Sequence, residues 1–464
     1  VSLDALETQI RADLAKLGYG APTWVTPREG IHDVVIVGGG QSGLGAEFGL
    51  LRERIANILI LDENPAGAEG PWDTYARMIT LRTPKEITSI DGGIPSLTFR
   101  AYWEARAGTE AWAAIDKIPR GDWMDYLRWF RRVLALPVRN DARVAHVGPC
   151  IDGIHILRLA DGEELRARKV ILATGIQGGG AWHVPDFVGA SLPRDRYAHT
   201  SQPIDFATLK GKRLAILGGG ASAFDNAQHA LGQGVASVAV FLRRAEMPRV
   251  NPIRFMEQSG LVGRFTALDD AGKYAVMRSF FQRNQPPTND TFARAAAWPG
   301  FALHLGEGWT KVAEAGDAVA VETPKGHYAF DFLILSTGLV TDPKLRPELA
   351  DLADDVLRWR DRYTPPEDAN PLIDAHPYLG PGFELQGKDA AAEARLHGLF
   401  AFNYSALISL GLSAAALSGL KYAIPRLVEG VARQLFLDDR TAILAAYEAY
   451  AEEEFVADRR DAAA

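Results

Sequence analysis

Apolar positions along the chain recur at two different spacings. Near the N-terminus Leu3, Leu6, Ile10, Leu14 and Leu17 fall at helical intervals among charged residues, which predicts one amphipathic helix packed on the body of the protein. Short continuous apolar runs follow, at Val34–Val37 and Ile58–Leu61. A run that is apolar on both faces suits a central strand of a parallel sheet. The first run ends in Gly38-Gly39-Gly40-Gln41-Ser42-Gly43 and a helical segment to about Arg54; the second ends in Asp62-Glu63. Together they make a strand–turn–helix–strand–acid unit.

The pattern returns about 180 residues later. Lys212–Leu217 leads into Gly218-Gly219-Gly220-Ala221-Ser222-Ala223, a helical stretch follows, and the strand Ser237–Leu242 ends in Arg243-Arg244. Two further strands end in matching turns: Lys169–Ala173 before Thr174-Gly175, and Phe332–Leu335 before Ser336-Thr337-Gly338. The Gly- and Pro-rich segment Gly178–Pro193 reads as a linker. The chain after Gly338 is proline-rich through Pro381, then enters a strand, Leu399–Asn403, and a helix. It reads as a return to the first unit.

A glycine fingerprint between a strand and a helix has a defined physical purpose. The first glycine makes the tight turn, the second lets backbone N–H groups approach a pyrophosphate, and the third allows close helix–strand packing. The positive end of the helix dipole then faces the phosphates. In the first unit Asp62 is placed to accept hydrogen bonds from ribose hydroxyls, and its charge repels a 2′-phosphate, which leaves FAD or NAD. In the second unit Arg243, with Arg244, is placed to clamp a 2′-phosphate, which favours NADPH over NADH. The fold class expected is therefore α/β: two Rossmann-like dinucleotide-binding domains, the second, which favours NADPH, inserted in the first, which takes FAD or NAD, and carrying a helical insert. The expected boundaries are 1–180 for the first part of the first domain, 190–340 for the NADPH domain with its insert at 251–300, and 341–464 for the return and the C-terminal helices.

Composition adds exclusions. At 464 residues the chain is too long for one ordinary domain, and with 47% hydrophobic and 23% charged residues it is globular in type. A net charge of −8, with no basic stripe, argues against nucleic acid or an anionic membrane as partner. The single cysteine, Cys150, excludes an intrachain disulfide and a CxxC dithiol relay, and makes a reducing cytoplasm the expected compartment. No apolar stretch is long enough to span a membrane; Ala401–Leu420 comes closest but is broken by Asn403, Ser405 and Ser409. The N-terminal helix does not read as a signal peptide. The ten histidines are dispersed; His32, His146 and His376 have no ligand-like neighbours, so no metal is expected.

These units resemble the two-dinucleotide-domain flavoproteins, and within them the class B flavin monooxygenases: flavin-containing, Baeyer–Villiger and N-hydroxylating. Residues 31 to 425 carry the resemblance. Glu69-Gly70-Pro71-Trp72 is similar to the family's Gly-Gly-Thr-Trp turn, Tyr75–Lys85 to the segment after it, Ile118–Leu127 to the next helix, and Asn140–Val144 to the strand that meets the adenine. The long insert Asn251–Trp298, with Thr288-Asn289 near its end, and Gly411-Leu412-Ser413 are similar to features of the N-hydroxylating group. The family's FxGxxxHxxxW sequence keeps only its histidine, as His199; Pro193, Asp195 and Pro203 stand at the other places.

The resemblance implies an FAD- and NADPH-dependent monooxygenase that inserts one atom of O2 into a small organic substrate through a flavin hydroperoxide, at a heteroatom or a carbonyl. It implies FAD contacts at Gly38, Gly40, Ser42, Gly43, Asp62, Trp72, Val144, Thr174, Gly175, Asn403 and Gly411. NADPH contacts are expected at Gly218, Gly220, Ser222, Ala223, Arg243 and Arg244. No catalytic residue is fixed; Asn289 and Trp72 are candidates, Asn289 being equally suited to cap a helix. His199 reads as structural. Tyr274, Phe280, Phe281, Trp298 and Phe301 of the insert region, and Trp103 and Trp112, suit either an apolar pocket or helix core. The partners expected are the substrate and O2, and the apolar C-terminal helices point to a homodimer. Two alternatives stay open: an NADPH oxidase or reductase without oxygen transfer, and a silent redox sensor, which two intact fingerprints disfavour.

Overall fold

The computed structural model describes residues 2–366, 368–414 and 416–455. The remainder of the expected C-terminal stretch, 456–464, lies outside the described residues. His32–Val37 is buried at its four middle positions and lies between Ile58–Leu61 and Glu164–Leu172, parallel to both. Leu399–Phe400 adds to the far side of Glu164–Leu172, also in parallel. The return of the chain to the first sheet is thus built into its hydrogen bonding.

The second sheet repeats the arrangement. Arg213–Leu217 lies between Ser237–Leu242 and Phe332–Leu335, and Phe301–Leu305 and Tyr197–His199 extend the two edges. All five strands run parallel. In each sheet the fingerprint strand therefore separates the strand that ends in Asp62 or Arg243 from the strand that ends in the second glycine turn. This is where ligands sit in open parallel sheets, at the carboxyl ends of strands whose connections diverge. A separate three-stranded antiparallel sheet, Lys311–Ala315, Ala318–Thr323 and Gly326–Phe330, covers one face of the second unit.

The two connections between units pair with each other. Gly180–Trp182, inside the expected linker, forms an antiparallel ribbon with Leu339–Thr341. A Cβ at Gly180 would lie 1.9 Å from the Val340 carbonyl oxygen, so only glycine allows this approach.

Two sequence expectations are corrected. Asn140–Val144 is not a strand: Val138–Arg139 ends before it and Val144–Val147 begins at its last residue. Asp141, at φ +52°, turns the chain out of the extended region. The strand expected at Leu399–Asn403 stops at Phe400, because the Asn403 side chain accepts from the Ser405 N–H and opens a 3-10 turn.

The N-terminal helix, Leu3–Lys16, buries Leu6, Ile10 and Leu14; burying each such side chain stabilises the fold by about 1.5–3 kcal/mol. The helix after the first fingerprint, Gln41–Arg52, packs on the C-terminal helix, Leu417–Ala449. Gly45 and Gly49 set the distance, since a Cβ there would meet Ile424 at 2.5 Å and Val428 at 2.7 Å. Trp103 and Trp112 pack around Phe99 and form core, not pocket.

The insert is helical: Pro252–Gln258, Leu261–Arg264, Asp270–Arg283 and Asn289–Ala296. Met256, Val262, Phe265, Tyr274 and Met277 bury themselves against Trp359, Ile373, Leu407, Ile408 and Leu412 of the returning segment. Asn289–Ala296 packs instead on the helix Ala221–Gly232, with Phe292 and Phe224 5.4 Å apart. The insert therefore spans the cleft between the units. Among the described residues no helix is long and apolar enough to cross a membrane.

Candidate active site

Both fingerprint turns are built on the same contact. Gly38 has φ +111°, and a Cβ on it would lie 2.4 Å from the carbonyl oxygen of Ala173. Gly218 has φ +121°, and a Cβ there would lie 2.3 Å from the Ser336 oxygen. Each turn thus rests on the end of the neighbouring strand. Gly43 is equally fixed, its hypothetical Cβ 1.9 Å from the Gly38 oxygen, while the equivalent Ala223 is fully buried.

The middle glycines differ. Gly220 has an ordinary φ of −77°, and a Cβ on it would meet nothing within 4 Å; at Gly40 the nearest atom is 3.6 Å away, on Gly70. The protein's own packing does not require glycine at either place. Both N-caps lack a side-chain hydrogen bond, so the helix ends present free N–H groups beside open space. These cradles fit the pyrophosphates of two dinucleotides.

Both cradles open into one cavity of about 1950 Å³, against roughly 300–1,000 Å³ for an ordinary small-molecule pocket. Gly38, Gly40, Ser42, Asp62, Trp72, Val144, Thr174, Gly175, Asn403 and Gly411 line it on one side, and Gly218, Gly220, Ser222, Arg243 and Arg244 on the other. Gly43 and Ala223 lie behind the walls, as packing positions do. Asn289 is exposed at the first turn of its helix and does not line the cavity.

Asp62 accepts from the Gly39 N–H at 2.7 Å and from the Asn64 N–H at 2.8 Å, so it shapes the turn as well as lining the cavity. Burial pushes its carboxyl up, against the pull of those donors. Asn403 is saturated: its amide donates to the Leu172 oxygen and the Thr174 hydroxyl and accepts from the Ser405 N–H and hydroxyl. It ties the Thr174-Gly175 turn to the returning segment. The Trp72 indole N–H, by contrast, is buried without a partner among the described residues.

The two arginines also differ. Arg244 donates to the Gln282 and Arg283 carbonyls at the end of an insert helix, a placement that complements the helix dipole. Arg243 is exposed and makes no hydrogen bond or ion pair among the described residues. Two other arginines join the units. Arg77 donates to the Thr200 and Gln202 oxygens at 2.6 and 2.7 Å, and burial lowers its pKa to about 10. Arg82 pairs with Asp225 on the helix of the second fingerprint.

Comparison with known proteins places this geometry. Residues 35–177 match the FAD-NAD(P)-binding family. Over 462 residues, 98% of either chain, the sequence is 62% identical to the FAD-dependent urate hydroxylase of Xanthomonas campestris pv. campestris. The chain belongs to the family of that FAD-dependent hydroxylase. This monooxygenase is an FAD-dependent oxidoreductase. Its fold is also that of the ornithine hydroxylase PvdA from Pseudomonas aeruginosa, at 19% identity and TM-score 0.68, covering 87% of this chain and all of that one. The ornithine N-hydroxylase KtzI of Kutzneria sp. 744 gives 17% and 0.67, over 87% and 99%.

The monooxygenase has further cavity residues that single-sequence reading left aside. Trp182, Tyr75 and His199 form one aromatic group between the units. Trp309, beside Gly308, has a buried indole N–H without a partner among the described residues. Of the insert aromatics only Phe280 and Phe281 line the cavity. Tyr274 is engaged with Asp374 at 2.8 Å, Trp298 is exposed, and Phe301 packs on Phe292 and Phe224. His376 lines the same wall, fully buried. Only its arrival beside Phe281 and Tyr404, from distant parts of the chain, marks it.

Proposed function

We propose that the chain is an NADPH-using, FAD-dependent hydroxylase of urate. The carrying observation is the 62% identity, over 98% of both chains, to a protein named for that activity. One cavity lined by two dinucleotide cradles, and also by Phe280 and Phe281 of the insert and Tyr404 and Leu407 of the returning segment, supports it. The overall exchange consumes urate, O2, NADPH and a proton, and yields hydroxylated urate, NADP+ and water. In this reading residues 1–180 and 341–464 serve FAD and 190–340 serve NADPH, in the cytoplasm, where the lone Cys150 stays a thiol.

The chemistry that bound FAD would supply is acceptance of hydride from the nicotinamide and activation of O2 for transfer of one oxygen atom. The chain's own residues bind, orient and exclude water. Backbone N–H groups after Gly40 would hold the FAD pyrophosphate and Asp62 the ribose, with Val144, Trp72, Thr174, Gly175 and Gly411 on the same wall to hold the rest of the group. Asn403 fixes the Thr174 turn. The N–H groups after Gly220, with Ser222, hold the NADPH pyrophosphate, and Arg243 the 2′-phosphate. Arg244 steadies the insert beside it. Asn289 takes no part.

The test is to mix purified yellow protein with NADPH in air, with and without urate, and to follow NADPH, urate and H2O2. Urate-stimulated NADPH oxidation, with one urate lost per NADPH and little H2O2, supports the reading. Stoichiometric H2O2 with urate untouched means an NADPH oxidase. An Arg243→Ala variant raises KM for NADPH about tenfold or more while sparing NADH; equal effects on both remove Arg243 from that role.

A further inference from the structure

Among the described residues five acidic side chains line the cavity. Asp62 accepts from the Gly39 and Asn64 N–H groups, Asp225 from Arg82, and Glu348 from Arg346 at 2.8 Å. Glu63 is half-exposed and faces Arg143 at 3.9 Å. Glu257 differs from all four. Its side chain is only 5% exposed, and Arg254 stays 3.6 Å from it, beyond hydrogen-bond reach. The Ser418 hydroxyl is its other polar neighbour. A carboxyl group has about four acceptor positions, so most of its capacity is left for a ligand. Burial raises the pKa of Glu257 against the pull of Ser418 and Arg254. That favours the protonated acid, which donates as well as accepts.

The fold fixes where this carboxyl group stands. Helical spacing puts Ile253, Arg254 and Glu257 on one side of Pro252–Gln258, and all three line the cavity. Ser418 reaches the cavity from the second position of the C-terminal helix. The start of that helix is pressed onto the turn before it: a Cβ on Gly419 would lie 2.0 Å from the Leu412 oxygen and 2.6 Å from the Ser413 oxygen. The same turn accepts, at the Ala414 oxygen, a hydrogen bond of 3.0 Å from the Ser42 hydroxyl of the first fingerprint. Contacts thus run without a break from the first cradle to the neighbour of Glu257. Ile253, Leu412 and Leu417 add apolar surface to the cavity here.

We infer that Glu257 is the residue that reads the substrate, by pairing with the N–H and C=O edge of a planar cyclic amide. The acid O–H donates to the ring carbonyl, and the acid carbonyl accepts from the adjacent ring N–H. Urate is built of such edges, and the inference rests on the reading of the preceding section. Two parallel hydrogen bonds fix the plane of the ring as well as its direction, and the apolar residues beside Glu257 offer it no competing partner. A ring methylated at that nitrogen leaves the acid carbonyl unpaired, which is how hydrogen-bonding sites reject analogues.

The test uses the FAD-loaded enzyme, with urate affinity measured by equilibrium dialysis and kcat and KM by NADPH oxidation in air. Glu257→Leu keeps a side chain of similar size and removes both oxygens; it raises Kd and KM for urate about tenfold or more, with a smaller change in kcat. Glu257→Gln keeps one donor and one acceptor in the same places, and holds Kd within about threefold of wild type. FAD content and melting temperature check that both variants are folded. Wild-type affinity in Glu257→Leu overturns the inference and leaves the functional reading standing. A Glu257→Gln variant as weak as Glu257→Leu overturns it too, because the paired edge then plays no part. If Glu257→Leu does not fold, Glu257→Ala takes its place with the same two outcomes. Wild-type protein that neither binds nor consumes urate overturns the functional reading, and this inference with it.

Discussion

The imidazole of His199 lies flat on the indole of Trp182, ring centroids 4.9 Å apart and planes 16° from parallel. Tyr75 meets Trp182 edge-on at 6.3 Å. A segment of the first unit, the connecting ribbon and a strand of the second unit thus share one aromatic stack. Nδ1 of His199 accepts from the Ser201 N–H, and burial pushes the pKa down to about 4.

Acid stability follows from that burial. His199 and His376, at about 4 and about 3, stay neutral in the folded protein where an unfolded histidine, at about 6.5, takes up a proton. Between those values the unfolded chain binds more protons, so stability is fully present above pH 6.5 and is lost as pH falls towards 4. Each ring costs ~2 kcal/mol at pH 5. Urea midpoints at pH 7 and pH 5 measure this; His199→Phe flattens the difference, and an unchanged slope refutes the assignment.

Glu47 acts in the opposite sense. It is buried in the first fingerprint helix with one carboxylate oxygen unpartnered, and burial raises its pKa to about 8. The folded protein then binds the extra proton, and stability declines as pH rises from 4.5 to 8. Glu47→Gln removes the decline, with a gain of a few kcal/mol at pH 8 and almost none at pH 4. Thermal melts at both values decide; a gain independent of pH contradicts the buried proton.

The two kinds of fingerprint glycine separate by mutation. Gly218→Ala forces a methyl group onto the Ser336 oxygen at positive φ and destabilises the chain, by roughly 1–3 kcal/mol from the backbone alone. Gly220→Ala meets nothing in the protein, so melting is unchanged, but the methyl occupies the pyrophosphate approach and NADPH affinity falls at least about tenfold. Titration of NADPH against the oxidised enzyme reads this out. Equal NADPH affinity in Gly220→Ala would place the nucleotide elsewhere.

Arg82 and Asp225 hold the helix Ala221–Gly232 to the first unit, with Asp225 almost wholly buried. Arg82→Ala leaves that carboxylate unpaired and destabilises by about 3–5 kcal/mol. Asp225→Asn, which keeps a polar group of the same shape, costs less. Anaerobic stopped-flow reduction of the flavin by NADPH slows in Arg82→Ala. Full-speed reduction would show that the pair serves stability alone.

The two cradles were legible in the chain because each is local: strand, turn, helix and terminal residue follow one another within about 30 residues, and their spacing carries the physics. The same locality marks Asp62 and Arg243, which both line the cavity. Arg244 reads identically in sequence, yet the distant end of an insert helix claims its guanidinium. Asn289 resembled a site residue by position in the insert, but the helix it opens faces Ala221–Gly232 and solvent. His376 gave no local signal at all. Its neighbours Phe281 and Tyr404 lie far from it in sequence, and only tertiary packing brings the three together. The edge strand Tyr197–His199 was hidden for a related reason: three residues carry no periodicity, and pairing with Phe332–Leu335 alone defines it.

The ribbon of Gly180–Trp182 with Leu339–Thr341 brings the two ends of the inserted unit side by side. A module whose entry and exit lie one hydrogen bond apart is a cassette: it can be lifted from the host chain and replaced without restringing it. What limits exchange is the docking surface. A foreign cassette must supply an acid for Arg82, carbonyls for Arg77 and an aromatic ring for Trp182. Evolution of a new reductant preference in this scaffold therefore has a short list of residues to preserve.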